Sequence, residues 1–483
     1  MAHEMNPRKA LLYWFLGQPV ALGSQIFIMI YTARILGPEE KGLFVAAVSA
    51  LAFLQILQNF GLGAFLVSKI ELTTDDISTA FGILLIGCLA VAIGTYTIAS
   101  PLAEFVREPR LVPIFHVLAI APIFMPLQMI AVGLMMREHR SEVQLILTVG
   151  RALISSAVVY IMCEKGFGAI SLAWAFVAGT ASVTVLAVIF RPSVMLIKPS
   201  LIAWKSLLRF GSGMLALSYL VNLLPRLYEF LITRSSGVLA TGLFSQMLAL
   251  VDPIKVNVQQ VVLSALFPTF SEYIRKKQAL GPLYLKLIEC LTGVLIPIYV
   301  VMAILGKEIV LLLFGPQWVG AANILVIIYC AQIATTLAAG GYDLFLAMGR
   351  VKTLLIIETV NFGFSLLVFW IGLHSSLSTA LYYLIVAAVL YSLMYSVSLI
   401  KSLNYSLQAL IAIYVRTALV VLAAAIPPLV LKTFFPQFMF RLPDFLLVGF
   451  ASFALAYCVG KYVKHELVYE INRVVARVTS KFQ

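Results

Sequence analysis

NLLPRLYEFLITR (Asn222–Arg234) and LFSQMLALVDPIKVNVQQ (Leu243–Gln260) are two neighbouring stretches in which an apolar chain carries charge at regular spacing. Asn222, Arg226 and Glu229 fall at i, i+4 and i+7, and Asp252, Lys255 and Gln259 at i, i+3 and i+7, so each set lies on one face of a helix. A charged side chain near the centre of a bilayer costs roughly 2.5–3.5 kcal/mol even on the most lenient insertion scale, so it must meet a partner or a water-filled cavity. Two readings follow. Arg226 with Glu229, and Asp252 with Lys255, stand at separations that let side chains meet within one helix and neutralise each other. Alternatively, the four charges line a polar cavity that handles a polar passenger.

The rest of the chain supplies the membrane. Hydrophobic residues make up 62% of 483 and charged residues 11%, against about 25% charged in a soluble protein. Apolar segments of spanning length recur at 10–34, 43–67, 78–99, 112–135, 143–163, 167–190, 207–232, 238–267, 284–306, 320–347, 353–373, 377–399, 411–431 and 443–462. An all-α integral membrane protein with fourteen transmembrane helices is expected, and no stretch between them is long enough for a soluble domain. Arg8 and Lys9 precede the first segment, which runs past Ile30 and reads as a span rather than a cleaved signal. With the N terminus inside, 21 of the 34 basic residues fall on the cytoplasmic side and 9 on the other; Arg151, Arg226, Lys255 and Arg416 lie within spans. This bias places both termini in the cytoplasm and accounts for the net charge of +13 without nucleic acid.

The chain also repeats itself at an offset of 200 residues. RILGPEEKGLF (Arg34–Phe44) aligns without gaps on RSSGVLATGLF (Arg234–Phe244), matching Arg34 with Arg234, Gly37 with Gly237, and Gly42-Leu43-Phe44 with Gly242-Leu243-Phe244. Six helices per copy is an even number, so both copies enter from one side and a pseudo-two-fold along the membrane normal relates them. The expected organisation is a six-helix bundle over 1–190, an interfacial linker over 191–206, a second bundle over 207–400, two further helices over 401–463 and an amphipathic tail over 464–483. The linker mixes Leu201, Ile202 and Trp204 with Lys198 and Lys205, which suits a helix lying in the interface. The tail places Leu467, Ile471, Val474, Val475 and Val478 on one face and suits the same position. Gln18 and Gln25 on the first span and Gln55, Gln58 and Asn59 on the second give the first copy polar stripes of its own. Such stripes also serve as interhelical glue.

Catalytic signatures are missing. HELVY at His465–Tyr469 has Tyr469 where a second zinc ligand would stand, and there is no GxxxxGK[ST], GxSxG or CxxC. No enzyme activity, cofactor or metal is expected, and the five cysteines read as small core residues.

GPEEKGLF (Gly37–Phe44), NFGLGAFLVSK (Asn59–Lys69), FGPQW (Phe314–Trp318) and the six-plus-six-plus-two arrangement resemble the Wzx-type polysaccharide flippases of the multidrug/oligosaccharidyl-lipid/polysaccharide exporter superfamily. The resemblance implies a bacterial inner-membrane protein that moves an undecaprenyl-diphosphate-linked oligosaccharide from the cytoplasmic to the periplasmic leaflet by alternating access between the bundles. Its partners would be that substrate, membrane lipid and polysaccharide polymerase or export machinery. On this reading Arg226 and Lys255 contact the diphosphate. Gln18, Gln25, Gln55, Asn59, Asn222, Gln246, Asn257 and Gln259 serve sugar hydroxyls, and Glu229 or Asp252 couples a proton or sodium ion. The related drug antiporters, cation-coupled exporters of small solutes, are the alternative; they usually have twelve helices.

Overall fold

A computed structural model of the chain describes residues 7–55, 66, 69, 71–138, 140–202, 204–276, 278–434 and 442–479. Within these the chain is helical: α1 (Pro7–Gln55), α2 (Thr74–Val106), α3 (Leu111–Leu118), α4 (Ala121–Arg137), α5 (Ser141–Glu164), α6 (Ile170–Phe190), α7 (Trp204–Arg275), α8 (Gly281–Ile304), α9 (Gly306–Phe314), α10 (Ala322–Thr336), α11 (Gly341–Ala347), α12 (Val351–Leu373), α13 (Leu377–Leu403), α14 (Leu407–Phe434), α15 (Leu442–Tyr462) and α16 (Glu466–Thr479). By their contacts the residues form two compact units, Met1–Ser245 and Gln246–Gln483.

Twelve segments among the described residues are long and apolar enough to cross a membrane. Two of them are hairpins. Gly37 in α1 and Gly237 in α7 have φ of 75° and 83° with extended ψ, which interrupts the helix in each. Lys41 Nζ donates to the carbonyl of Met29 at 3.1 Å, although twelve residues of continuous helix would separate them by about 18 Å. Thr233 and Thr241 hydroxyls likewise lie 2.9 Å apart, where straight helix would give about 12 Å. The chain therefore reverses at both glycines, and the twelve segments contain the fourteen expected crossings.

The same repeat sets a close contact inside the first unit. A Cβ on Gly42 would lie 1.8 Å from the carbonyl oxygen of Val238, and one on Gly242 1.8 Å from that of Pro38. Each glycine's Cβ would also come 3.0 Å from the other's backbone nitrogen. A shift of 200 residues interchanges the two approaches, as a local two-fold between the repeated turns requires. Beside them Ala46, Ala47 and Ala50 of α1 pack on Ala99 and Ala103 of α2, the small-residue contact that lets helices approach closely where lipid gives no hydrophobic drive.

The linker departs from expectation. Residues Pro192–Leu196 form a 3-10 turn, and Ile197 is already extended, so no single interfacial helix joins α6 to α7. Pro199 lacks a backbone donor, and the Ser200 N–H is spent on the carbonyl of Ser78 at 3.0 Å. The apolar side chains Met195, Leu196, Leu201 and Ile202 are nevertheless exposed, as a segment lying on a bilayer surface requires.

The tail does form a helix, and it is docked. Lys286 of α8 bridges Glu466 and Glu470 at 2.5 and 2.6 Å, and Glu289 accepts the Glu466 N–H at 3.3 Å. His465 is 1% exposed and fills the notch left by Gly293, where a Cβ would come within 2.4 Å of its Cε1. Its Nδ1 accepts the Leu467 N–H at 3.3 Å, which makes Nε2 the protonated nitrogen, 3.2 Å from Thr417 Oγ1. Burial, reinforced by the Arg416 guanidinium, pushes the imidazole down to about 4.

Two outcomes are expected. Gly42→Ala and Gly242→Ala should each destabilise the folded protein by at least about 1–3 kcal/mol through overpacking, read as a lower melting temperature in detergent. For the tail, neutral His465 is the docked form, so docking is at full strength above the ordinary histidine range near 6.5 and weakens as pH falls towards 4. A spin label on α16 should become mobile across that interval, and His465→Gln should abolish the pH dependence.

Candidate functional site

Four residues of α5, Gln144, Thr148, Arg151 and Ser155, fall at i, i+4, i+7 and i+11 and form one polar face along the helix. That face lines a cavity of about 710 Å³ inside the first unit, with Ser24 and Gln25 of α1 and Gln128 of α4 completing its polar wall. Small residues make room for it. A Cβ on Gly179 of α6 would stand 2.3 Å from Ser155 Oγ and 3.4 Å from Arg151 Cγ. Ser24 ties α1 to the far edge of the same helix, with its hydroxyl 2.6 Å from Ser156 Oγ and 2.9 Å from the Ala152 carbonyl.

Arg151 is the charged residue of this lining, ten residues into a 24-residue span. Among the described residues no carboxylate lies within ion-pairing distance of it. Gln128 Oε1 is buried without a hydrogen-bond partner among them. A guanidinium beside amide and hydroxyl groups is chemically able to receive an anion bearing polar substituents, because its planar fork suits phosphate oxygens.

The residues expected to form the site divide differently. Arg226 Nη1 is 2.8 Å from Glu229 Oε2, and the Glu229 side chain is 6% exposed against 44% for Arg226. The carboxylate thus takes up the charge of Arg226 within α7, as the intrahelical reading describes, while the remaining guanidinium donors face outward with Asn222. In the second unit Lys255 is half-buried in the combined field of Asp252, which is exposed, and of Glu358 from α12. Asn257 Nδ2 donates to the Pro253 carbonyl at 2.7 Å, one turn earlier. Gln246 is buried and Gln259 half-buried, whereas Gln25 reaches the cavity of the first unit. The side chains of Gln18 and Gln55, and all of Gln58 and Asn59, lie outside the described residues.

Arg151 and Glu358 are the two intramembrane charges whose importance emerges only from their surroundings. The α5 face has the same spacing as the Asn222 and Asp252 faces, so the pattern is present in the sequence. What no pattern conveys is that Arg151 has no carboxylate within ion-pairing distance among the described residues.

The chain is similar to several known proteins. The model of a family described as "Polysaccharide biosynthesis protein" matches residues 32–323. Over 298 residues the chain is 26% identical to the succinoglycan biosynthesis transport protein ExoT of Rhizobium meliloti strain 1021, an alignment covering 61% of this chain and 59% of that protein's length. Over 360 residues it is 21% identical to the lipopolysaccharide biosynthesis protein WzxC of Escherichia coli strain K12, covering 71% and 72%. Among solved structures, the lipid II flippase MurJ in an inward closed conformation superposes with a TM-score of 0.74 at 12% identity, over 95% of this chain and 99% of that one. An inward-facing multidrug resistance MATE family transporter gives 0.58 at 14% identity, over 78% and 95%. At such identities the superpositions show a shared fold.

The two arginines should separate on substitution. Arg226→Ala removes the counter-charge beside a buried carboxylate and should cost about 1–3 kcal/mol, most of it recovered by adding Glu229→Gln. Arg151→Ala breaks no ion pair among the described residues and should change stability by less than about 0.5 kcal/mol. Thermal melts of the purified variants in detergent read both.

Proposed function

Because the chain belongs to the family of polysaccharide biosynthesis proteins, we propose that it moves an undecaprenyl-diphosphate-linked oligosaccharide across the bacterial inner membrane, from the cytoplasmic to the periplasmic leaflet, for surface polysaccharide assembly. Both termini lie in the cytoplasm on this reading, and a polymerase or export complex takes the product. The observation that carries it is Arg151: the charge lining the cavity of the first unit is positive and unmatched by a carboxylate among the described residues. A cation-exporting antiporter needs the opposite sign there.

The physics is that of a divided substrate. The polyprenyl tail is at home in hydrocarbon, while the diphosphate-sugar head carries charge and hydroxyls that hydrocarbon cannot solvate. Arg151 offers the diphosphate paired donors. Gln25, Gln128, Gln144 and Thr148 offer both donors and acceptors to hydroxyls on the attached sugar. The names of the relatives, a succinoglycan transport protein and a lipopolysaccharide biosynthesis protein, support a saccharide cargo. An inside-negative potential favours outward movement of the anion by roughly 2.3 kcal/mol per charge per 100 mV. Arg226, Lys255 and the polar residues Asn222, Gln246, Asn257 and Gln259 are proposed as further contacts along the route.

The test is a pulse of labelled lipid-linked oligosaccharide in cells lacking any second flippase, scoring periplasmic exposure of the sugar. Exposure should depend on the protein, fall at least about tenfold in Arg151→Ala, the equivalent of one 1.4 kcal/mol contact, and recover in part in Arg151→Lys. Wild-type exposure in Arg151→Ala at normal expression would remove the site from the route. Exposure that continues without the protein would remove the function.

A further inference from the structure

The joint between α15 and α16 carries a lysine where glycine is the residue that fits. The His465 N–H bonds the Gly460 carbonyl at 2.9 Å and the Lys464 N–H bonds the Lys461 carbonyl at 3.3 Å, the paired pattern that ends a helix with one residue in the left-handed region. Glycine fills that position without steric cost, whereas a Cβ there crowds the following carbonyl. Here the position is taken by Lys464, with φ of 56°. Compensation of the helix dipole does not call for it, since Lys461 already stands in the last turn of α15. A strained backbone that carries a long cation, where a bare turn would serve, points to a use for the side chain.

Charge around this joint is sorted by face. Glu466 and Glu470, one turn apart, point inward to Lys286 of α8, and Tyr457 of α15 donates to Asn472 Oδ1 at 2.6 Å, so the rotation of α16 about its axis is fixed. What faces out is basic and aromatic: Lys461, Lys464 and Arg473 are exposed, with Tyr462 and Tyr469 between them at 89% and 57%. Arg473 also reaches Glu470 at 3.6 Å, yet its side chain stays 60% exposed. The joint stands at the depth of lipid headgroups. On α14 the charged residues Arg416 and Lys432 bound a stretch free of charge, about 24 Å of helix, which is comparable with the ~30 Å hydrocarbon core of a bilayer. Glu289, which pairs with Arg416, also accepts the Glu466 N–H, so the tail begins level with one end of that stretch.

We propose that Lys461, Lys464 and Arg473 form a docking surface for anionic phospholipid headgroups, of the phosphatidylglycerol class, with Tyr462 and Tyr469 as its interfacial anchors. Ammonium and guanidinium groups meet phosphate oxygens through charge-assisted hydrogen bonds, basic residues beside a span are drawn to an anionic leaflet, and tyrosine rings settle at headgroup level. Glu470, the carboxylate beside Arg473, is held by Lys286 at 2.6 Å and so leaves the outer face to the cations. Lipid and Lys286 thereby hold opposite faces of α16, and the charge of the leaflet adds to the docking of the tail. The surface is independent of the cargo; only the leaflet it meets, the cytoplasmic one, is taken from the topology proposed above.

Fluorescence quenching by brominated lipid tests this on the full chain, without any cargo. The Tyr469→Trp protein is placed in vesicles of phosphatidylcholine with a minority of phosphatidylglycerol, the bromines being on one lipid or the other, and the wild type gives the tryptophan background. Phosphatidylglycerol should be enriched at residue 469 at least about fivefold over its mole fraction, the equivalent of one basic residue at an anionic surface, and the enrichment should fall in high salt. Adding Lys461→Gln, Lys464→Gln and Arg473→Gln together should return it to the mole fraction. Lys464→Gly alone should lower the enrichment while the melting temperature stays at or above that of the parent, because glycine relieves the turn. Quenching in proportion to mole fraction in the parent overturns the proposal and leaves the tyrosines as anchors in any lipid. Enrichment that survives the three substitutions overturns the assignment to these cations. A melting temperature lowered by Lys464→Gly shows that the lysine holds the turn for structural reasons, which overturns the argument from strain.

Discussion

Hydrocarbon offers a polar group nothing to bond to, and every charge in this chain's spans is arranged under that constraint. Glu229 is closed off by Arg226 within one helix. Glu289, on α8, is shared between Arg416 of α14 and the first turn of the tail. These are settled charges, each with an opposite charge or a backbone donor against it. Arg151, in a polar cavity, and Glu358, held by two tyrosine hydroxyls, are not settled in that way. The distinction between the two groups is what singles out candidate functional charges among helices that otherwise differ little in composition.

Much of the architecture is legible without coordinates, because it depends on quantities a single sequence contains. Fourteen crossings follow from the length of apolar segments, and the two hairpins follow from Gly37 and Gly237 lying at matching places in a repeat. The helical tail is legible from its amphipathic period. Its anchoring is not: the burial of His465 against Gly293 joins residues 172 positions apart, and neither residue type announces the other. The linker misleads because its apolar residues are right for an interface while Pro199 and the Ser200 bond to Ser78 deny them a helix.

The site residues show the same division more sharply. Arg226 and Glu229 stand three apart, so their pairing is written locally. Glu358 meets Tyr391 and Tyr395 from the next helix, where tyrosines in an apolar run look no different from residues facing lipid. Arg151 shares its helical spacing with the other charged faces; what sets it apart is that no carboxylate among the described residues pairs with it, which only the assembled neighbourhood reveals. Sequence reasoning thus finds charged faces well and ranks them poorly, since the rank depends on partners contributed from elsewhere in the chain.

The reciprocal contact of Gly42 and Gly242 carries an implication about origin. Two copies of one turn that meet backbone to backbone, each glycine against the other's carbonyl-bearing segment, form an isologous patch, the kind by which identical subunits associate about a two-fold. A half-length chain bearing that turn would place its single glycine on the axis of a homodimer. Joining two such chains end to end preserves the contact but frees the halves to diverge, so that one now presents Arg151 and the other Lys255 and Glu358. At Gly42 and Gly242 the backbone-to-backbone approach leaves room for no other residue in either copy.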